Sequence, residues 1–305
     1  MSLFTRLAAS MMPLAPKFLV WPFAAPYIAG ENLDDAIKVI RDLNAQGAMA
    51  TLDLLGEEVR VREQSTQAVE EYLRAVDAVR EHDLDCNFSV KPTHMGLELD
   101  EDFCRDNIER LAEVVARDGT FLRIDMEDHT TIDATLRIYR YLHERYRGRH
   151  DGHVGVVLQA YMRRTLRDIA ELPDKDANVR LCKGIYIEPR KVAWKGYETV
   201  RLNFVAALEK LFSQGAYVGI ATHDEYLACA AVALIDRLGI PRDRYEFQML
   251  LGVDNSLRRI LIEAGHRMRV YVPYGQDWLK YSSRRLRENP EMVKHILRAM
   301  FRRDY

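Results

Sequence analysis

Eight short segments rich in β-branched and aromatic residues recur after residue 30, and longer segments with helical periodicity separate them. The short segments are residues 48–55, 86–92, 121–127, 154–160, 179–184, 217–223, 245–250 and 269–275. Regular alternation of strands and helices predicts βα units, in which helical crossovers join parallel strands. Eight such units favour an α/β fold of the (βα)8 TIM-barrel type, with a doubly wound open sheet as the alternative.

The segments between the strands have helical signals at their ends. Residues 33–47 and 198–215 are amphipathic and finish in glycine, which is common just after a helix C-terminus. No linker or low-complexity tract divides the chain. We therefore predict an N-terminal helical extension over residues 1–30 and one barrel domain over residues 31–305.

The N-terminal 30 residues are apolar, with a positive charge near the start. Prolines at positions 13, 16, 22 and 26 interrupt any long helix, and no run reaches the ~20 apolar residues that a membrane span requires. We predict one or two short docking helices here. A secretory signal is the alternative interpretation.

Charge and cysteine content exclude several functional classes. Lysine and arginine total 44 against 46 aspartate and glutamate, so the formal net charge is −2, which argues against nucleic-acid binding. Cys86, Cys104, Cys182 and Cys229 include no CxxC pair, so neither a zinc site nor a disulfide framework is predicted, and a reducing, cytoplasmic location fits best. The one histidine cluster, "HDGH" at 150–153, is in a polar segment typical of a surface loop, and we predict no metal site.

Polar residues follow or end most of the predicted strands. They are Glu57, Lys91, Asp125, Gln159, Arg180, Lys183, Thr222, His223, Gln248 and Tyr271. A barrel builds its active site at the C-terminal ends of its strands, so these residues are site candidates. Charged layers also close the ends of barrels, and any one of these residues could be structural. As a set they favour an anion-binding site.

The stretch "YSSRRLRENP" at 281–290 contains two adjacent arginines. Helical geometry would put Tyr281, Arg284, Arg285 and Glu288 on one face and Arg287 elsewhere. Paired guanidiniums can bind both oxygens of a carboxylate. The alternative is a solvated helix start with an ordinary surface pair between Arg284 and Glu288.

The mouth of the barrel also has groups suited to a cofactor. Its cationic and amide side chains could hold a phosphorylated cofactor or polarise a redox ring. Neither GxGxxG nor GxxxxGK occurs, so a nucleotide would not be bound by a Rossmann or Walker loop.

Seven motifs in order resemble the proline dehydrogenase family, from about residue 28 to 290. They are "VKPTHMGL", "RIDMED", "LQAYMRR", "RLCKGIYIEP", "ATHDE", "YEFQMLLGV" and "VPYGQDWLKYSSRRLRENP". The resemblance implies a distorted (βα)8 barrel with a final helix over the mouth and an FAD bound without a Rossmann fold. It also implies that L-proline is oxidised to Δ1-pyrroline-5-carboxylate, with hydride transfer to flavin N5 and electrons passed to a membrane quinone.

The chain is most similar to the single-function bacterial enzymes, because no region like an aldehyde dehydrogenase follows. The product would then be used by a separate pyrroline-5-carboxylate dehydrogenase. The resemblance leaves open a peripheral contact with the inner face of the membrane.

The resemblance also assigns substrate residues. They are Lys91, Tyr271, Tyr281, Arg284, Arg285 and Glu288. Arg284 and Arg285 would bind the proline carboxylate, Lys91 would complete the anion site and Glu288 would orient the arginine pair. The two tyrosines would pack around the ring, with Leu251 near. Glu57 would close the site by pairing with Arg284, and Asp125 would tune Lys91 or help the substrate amine lose its proton.

A second group of residues is assigned to the flavin by the same resemblance. It consists of Met126, Gln159, Arg180, Lys183, Gly184, Ile185, Thr222 and His223. Arg180 would lie at the N5 edge and stabilise the reduced ring, which makes Arg180 and Asp125 the implied catalytic residues. The chain departs from the family pattern at Ile185, Pro92 and His94 and over its first 27 residues.

Two other functions remain as alternatives, with one variation in substrate. A barrel aldolase would use Lys183 or Lys91 as a Schiff-base nucleophile and need no flavin. A non-catalytic barrel would bind an amino acid or regulate a partner through the arginine pair. Within the family, a relative that prefers hydroxyproline is the variation.

Overall fold

The computed structural model describes residues 20–21, 24–146, 153–173, 177–279 and 281–282, and within these ranges eight parallel strands close into a barrel in sequence order. The strands are β1 (Met49–Leu54), β2 (Cys86–Val90), β3 (Leu122–Ile124), β4 (Val154–Gln159), β5 (Asn178–Cys182), β6 (Tyr217–Ala221), β7 (Tyr245–Leu250) and β8 (Met268–Tyr274). The predicted barrel is confirmed, and the doubly wound sheet is wrong. Pairing of β1 with β8, from Met49 opposite Arg269 to Leu54 opposite Tyr274, closes the ring.

Among the fully described helices, one precedes the first strand and one follows each of the strands β1 to β7. They are α1 (Leu33–Ala45), α2 (Arg62–Glu81), α3 (Glu101–Arg117), α4 (Ile132–Tyr146), α5 (Thr165–Ala170), α6 (Tyr197–Ser213), α7 (Glu225–Leu238) and α8 (Asn255–Glu263). Short 3-10 turns cover Ala25–Tyr27 and Arg242–Arg244. Polar side chains cap several N-termini, as where Asn32 accepts a hydrogen bond from the backbone N–H of Asp35.

The strands have an apolar outer face and a polar inner one. In β5, Val179 and Leu181 are fully buried in the layer between the barrel and the helices, whereas Arg180 between them bonds across the interior. Inside the barrel, Arg269 Nε donates to Glu246 Oε1 at 2.7 Å. Gln248 Nε2 donates to the same oxygen at 2.6 Å. A network of charges and amides therefore fills part of the space where most such barrels have aliphatic layers.

The first and last described residues of the chain meet beside the β1–α2 loop. Val20, Ala24, Ile28, Leu55, Trp278 and Tyr281 form a second buried apolar cluster. Trp278 lies edge-on to Trp21, with ring centroids 5.0 Å apart, and its Nε1–H donates to Glu31 Oε1 at 2.6 Å. The N-terminal segment thus docks against the start of the C-terminal segment, while the domain boundary at residue 30 stays a prediction.

Trp278, Leu279, Tyr281 and Ser282 are helical. The remainder of the predicted final helix lies outside the described residues. Within the described part of the chain, no helix has the length and apolar character needed to cross a membrane.

Candidate active site

A cavity of about 230 Å³ opens at the C-terminal ends of the strands, where the sequence placed the site. Of the residues predicted to bind substrate, Lys91 and Tyr271 line it, and Asp125, predicted to be catalytic, lines it too. All eight residues predicted for the cofactor line it as well: Met126, Gln159, Arg180, Lys183, Gly184, Ile185, Thr222 and His223. Side chains from seven strand ends or loops thus converge on one space.

Lys91 is bound to a carboxylate that the sequence analysis did not identify. Its Nζ lies 2.6 and 2.7 Å from the two oxygens of Asp53, and 3.4 Å from Tyr271 Oη. Burial alone would lower the pKa of Lys91, but the negative charge of Asp53 raises it above its ordinary value. The only sequence signal for this pair is an acidic residue within an apolar strand segment, "ATLDLL".

Asp125 joins three strands at the floor of the cavity. Its Oδ1 accepts hydrogen bonds from Ser89 Oγ and Arg180 Nη1, both at 2.7 Å, and its Oδ2 accepts one from Tyr271 Oη at 3.0 Å. Arg180 Nε donates to Gln248 Oε1 at 2.6 Å, so the guanidinium is held on two edges. The Arg180 guanidinium also lies 5.3 Å from the centroid of the Tyr271 ring. This arrangement fixes a cation and an anion side by side in a largely buried site.

Gln159 presents an unsatisfied acceptor. Its amide nitrogen donates to the main-chain oxygens of Met126 and Glu127, both at 3.2 Å. Its side-chain oxygen is buried and has no donor among the described residues. A buried acceptor without a partner is costly, so the site is suited to a bound molecule that brings an N–H or O–H donor.

A second ionic cluster adjoins the cavity at Lys183. Asp224 accepts hydrogen bonds from both Arg201 Nε and Nη2, at 2.9 and 2.7 Å, and from Lys183 Nζ at 3.1 Å. Tyr197 Oη donates to the same carboxylate at 2.9 Å. Although burial would raise it, the pKa of Asp224 is held well below its usual range by these donors. The sequence predicted Lys183 as a site residue but gave no signal for Arg201 and Tyr197, because polar residues in the first turns of a helix are usually solvated.

The backbone conformation and the close packing at position 184 require a glycine. Its φ is +102°, and a Cβ at this position would lie 2.2 Å from the ring of Tyr161. The backbone at Gly184 and Ile185 therefore turns closely around the cavity wall. Nearby, His223 Nε2 accepts the backbone N–H of Leu250 at 2.8 Å, and Thr222 Oγ1 accepts that of Asp224 at 3.1 Å.

Some predicted residues are elsewhere. Glu57, Leu251 and Tyr281 do not line the cavity, and Tyr281 is buried in the second apolar cluster. Arg284, Arg285 and Glu288 lie outside the described residues, so their roles stay predictions.

No metal-binding group of histidine, cysteine or carboxylate side chains occurs in the described ranges. Most of the "HDGH" motif falls outside them, and its His153 Nδ1 is 2.7 Å from the main-chain oxygen of Thr120.

Sequence comparison identifies closely matching proteins over nearly the whole chain. The family model described as proline dehydrogenase matches residues 36–298. Proline dehydrogenase 1 of Bacillus subtilis (strain 168) is 34% identical over 280 residues, which cover 92% of this chain and 91% of that protein. The proline dehydrogenase of Deinococcus radiodurans is 34% identical over 286 residues, which cover 93% and 91%.

Structural comparison agrees on the fold. Proline utilization A from Bdellovibrio bacteriovorus, in a crystal structure of the protein inactivated by N-propargylglycine, superposes with a TM-score of 0.80 at 23% identity. The match covers 88% of this chain and 33% of that longer one. The Bradyrhizobium japonicum PutA mutant D778Y gives a TM-score of 0.72 at 20% identity, covering 86% and 30%.

Proposed function

The chain belongs to the proline dehydrogenase family, and from that premise we propose that it oxidises L-proline to Δ1-pyrroline-5-carboxylate with FAD as hydride acceptor. The observation that carries the proposal is the convergence of Lys91, Asp125 and Arg180 with the unsatisfied Gln159 oxygen in one cavity at the strand ends. An anionic amino-acid substrate and a redox ring need these groups together.

The residues fit the proposed FAD. The buried Gln159 oxygen is an acceptor suited to the imide N–H of the flavin ring. Lys183 supplies a cation for the pyrophosphate, and the tight backbone at Gly184 leaves room for close approach. Met126, Ile185, Thr222 and His223 would form the remaining walls, and Arg180 would meet the N5 edge.

When bound, FAD would supply the electron-deficient ring nitrogen that accepts the hydride. The chain's own task is to orient the substrate and to stabilise charge. Arg180 is pinned between Asp125 and Gln248, so its positive charge is preorganised and needs no rearrangement during the reaction. The Asp125 carboxylate, stabilised by three donors, is the anion in the cavity that can accept a proton from the substrate amine at Oδ2.

The substrate carboxylate requires more positive charge than Lys91 provides. Asp53 and Lys91 together are neutral, so the net charge for an anion must come from other residues. The paired Arg284 and Arg285, oriented by Glu288, are the proposed source, with Glu57 closing the site against Arg284. Tyr271, and Tyr281 from the C-terminal segment, would bound the ring.

The proposal extends to partners by family resemblance alone. Electrons would pass to a membrane quinone, through a peripheral contact of a cytoplasmic protein with the inner face of the membrane. A separate pyrroline-5-carboxylate dehydrogenase would use the product. Reduction of a quinone held in lipid vesicles, on addition of proline, tests the electron acceptor.

The Schiff-base aldolase is not favoured. A nucleophilic lysine needs a lowered pKa, whereas the pKa of Lys91 is raised by its contact with Asp53. Lys183 forms an ion pair with Asp224. Neither amine has the environment that Schiff-base chemistry uses.

Anaerobic mixing of the purified protein with L-proline tests the central proposal. The flavin absorbance band should bleach, and Δ1-pyrroline-5-carboxylate should form in amounts equal to the flavin reduced. A yellow protein whose band is unchanged by proline would refute the reaction. A protein that contains no flavin and cannot be reconstituted with FAD would refute the cofactor.

A further inference from the structure

The loop between β1 and α2, residues 55–61, contains Glu57 and is held by contacts on both sides of that residue. On one side, the ring of His94 packs against Gly56 so closely that a Cβ there would lie 2.3 Å from ring atoms. On the other, the backbone N–H of Glu58 donates to Thr93 Oγ1 at 3.3 Å. The two residues that make these contacts, Thr93 and His94, belong to one turn after β2.

That turn is itself rigid. The N–H groups of Met95 and Leu97 donate to the main-chain oxygens of Lys91 and Pro92 at 3.0 and 2.9 Å. Thr93 is 5% exposed. A hydrogen-bonded, buried turn is a firm support for the more exposed loop that lies on it.

Glu127 anchors the turn from behind. Its two carboxylate oxygens accept the backbone N–H and the hydroxyl of Thr93 at 2.8 and 2.7 Å. The hydroxyl therefore donates to Glu127 and accepts from Glu58, which fixes its orientation. The main-chain oxygen of Glu127 also accepts from Gln159, so one residue ties the loop support to the cavity wall.

Glu58 needs such support. Its φ is +51°, in the left-handed region that residues other than glycine rarely adopt. A side chain held there costs free energy, and the bond from its N–H to Thr93 Oγ1 is an interaction at this residue that opposes relaxation. Release of this bond would let the loop, with Glu57, leave its position.

We propose that Thr93, anchored by Glu127, is a positioning residue that holds residues 55–61, and Glu57 with them, in the position from which Glu57 closes the site in the proposed function. Thr93 does not line the cavity, and it acts through the loop. The inference rests on the proposed function for its link to substrate binding. The effect of Thr93 on the position of the loop can be measured without substrate.

Hydrogen exchange resolved at the Glu58 amide is the direct test. Thr93→Val removes the acceptor, and exchange at Glu58 should become about twofold to tenfold faster, as loss of one hydrogen bond implies. The KM for L-proline should rise at least about threefold while kcat changes by less than about twofold, because the loop positions substrate and performs no chemistry. Thr93→Ser keeps the hydroxyl and should restore both values.

Thr135→Val is the matched control, because Thr135 is also a buried threonine, and its hydroxyl donates locally to the Thr131 main-chain oxygen, just before α4, at 2.9 Å. It should change neither measurement. If Thr93→Val does not fold, Glu127→Gln disturbs the same link and is measured instead.

Unchanged exchange at Glu58 would overturn the proposal, and faster exchange with an unchanged KM would overturn its link to substrate. Failure of the unmodified protein to oxidise proline would instead refute the proposed function, while the exchange result would still decide the role of Thr93.

Discussion

The ammonium nitrogen of Lys91 lies 2.6 and 2.7 Å from the two carboxylate oxygens of Asp53, inside the barrel. Both side chains are almost completely removed from solvent, with 6% and 0% exposed. A buried pair of this kind is balanced only while both charges are present, since either one alone would be left desolvated and unpaired. The positive charge of Lys91, which was predicted to bind an anion at the mouth of the barrel, is therefore neutralised by Asp53.

Replacing Asp53 with asparagine should destabilise the protein strongly. We expect a loss of about 3 to 5 kcal/mol in the free energy of unfolding, measured in urea, because Lys91 loses its partner. The double variant Asp53→Asn, Lys91→Met should recover part of this loss. Equal stabilities of the single and double variants would show that the pair is not coupled.

The arginine pair is tested by comparison with its neighbour. Arg284→Met and Arg285→Met should each cost about 2 to 4 kcal/mol in kcat/KM for L-proline, with FAD retained, because a carboxylate would be left half paired. Arg287→Met is the matched control, since helical geometry directs Arg287 away from that face. Near-normal kinetics in both test variants would favour the alternative of an ordinary surface helix.

Arg180 should tune the reduction potential. In Arg180→Met, the flavin loses a fixed cation, and we expect its two-electron potential to fall by about 30 to 60 mV, equivalent to ~1.4 to 2.8 kcal/mol. Arg163→Met removes an exposed arginine stacked on Trp194, outside the cavity, and should leave the potential unchanged. A titration against a reference dye measures both. An unaltered potential in Arg180→Met, with normal flavin content, would contradict the placement of this residue.

Tyr271 should discriminate between L-proline and trans-4-hydroxy-L-proline. An aromatic wall at ring carbon 4 would leave the added hydroxyl unpaired, at a cost of about 1 to 3 kcal/mol, so we expect at least about a tenfold preference for proline in kcat/KM. Tyr271→Ser should narrow the gap mainly by weakening proline turnover, since it also removes a donor to Asp125. Tyr226→Ser, at an exposed tyrosine outside the cavity, is the control. Equal efficiency for both substrates in the unmodified enzyme would refute the wall.

Two buried glutamates should respond to pH in opposite directions. Burial raises the pKa of Glu127 to about 7, so the folded state holds a proton that the unfolded chain releases near 4.5. For Glu246, burial is outweighed by the charge and hydrogen bonds of Arg269 and by other donors, and its pKa is lowered to about 2. Glu127 thus costs stability as pH rises from about 4.5 to about 7, and Glu246 loses its stabilising effect as pH falls from about 4.5 to about 2.

Urea unfolding from pH 3 to 8 measures both effects. Glu127→Gln should flatten the stability curve between about pH 5 and 7, and Glu246→Gln should flatten its acid side, each by roughly 3 kcal/mol at most. If both variants changed the curve on the same side, the opposite environments assigned to the two carboxyls would be wrong.

The sequence predicted the strands well because each is a short apolar run between turn residues, and the β7 bounds of 245–250 agree with the structure. Closure into a barrel followed from their number. Asp53 was missed because its partner is 38 positions away, and spacing along the chain does not give the register that sets Asp53 opposite Ser89, two residues before Lys91. Arg201 was missed because a charged residue in the first turns of a helix is ordinarily solvated.

The role of Lys91 illustrates the same limit. Its position at a strand end predicted an anion-binding cation, yet the structure commits its charge to Asp53. Chemistry that depends on one residue type at one place can be anticipated from sequence. Neutralisation of one charge by another on a neighbouring strand depends on the register of the two strands, which the structure shows and the sequence does not.

Closure of the ring by β1 and β8 has a consequence for synthesis of the chain. β1 ends at Leu54, and β8, which pairs with the free edge of β1, starts at Met268. At a synthesis rate of roughly 5 to 20 residues per second, this edge stays unpaired for about 10 to 40 s before β8 is made. During that interval the unpaired N–H and C=O groups of this edge can form hydrogen bonds with strands of other nascent chains. Asp53, near the end of β1, places a charge on the strand whose edge is free, and a charge on an edge strand opposes such pairing until β8 arrives.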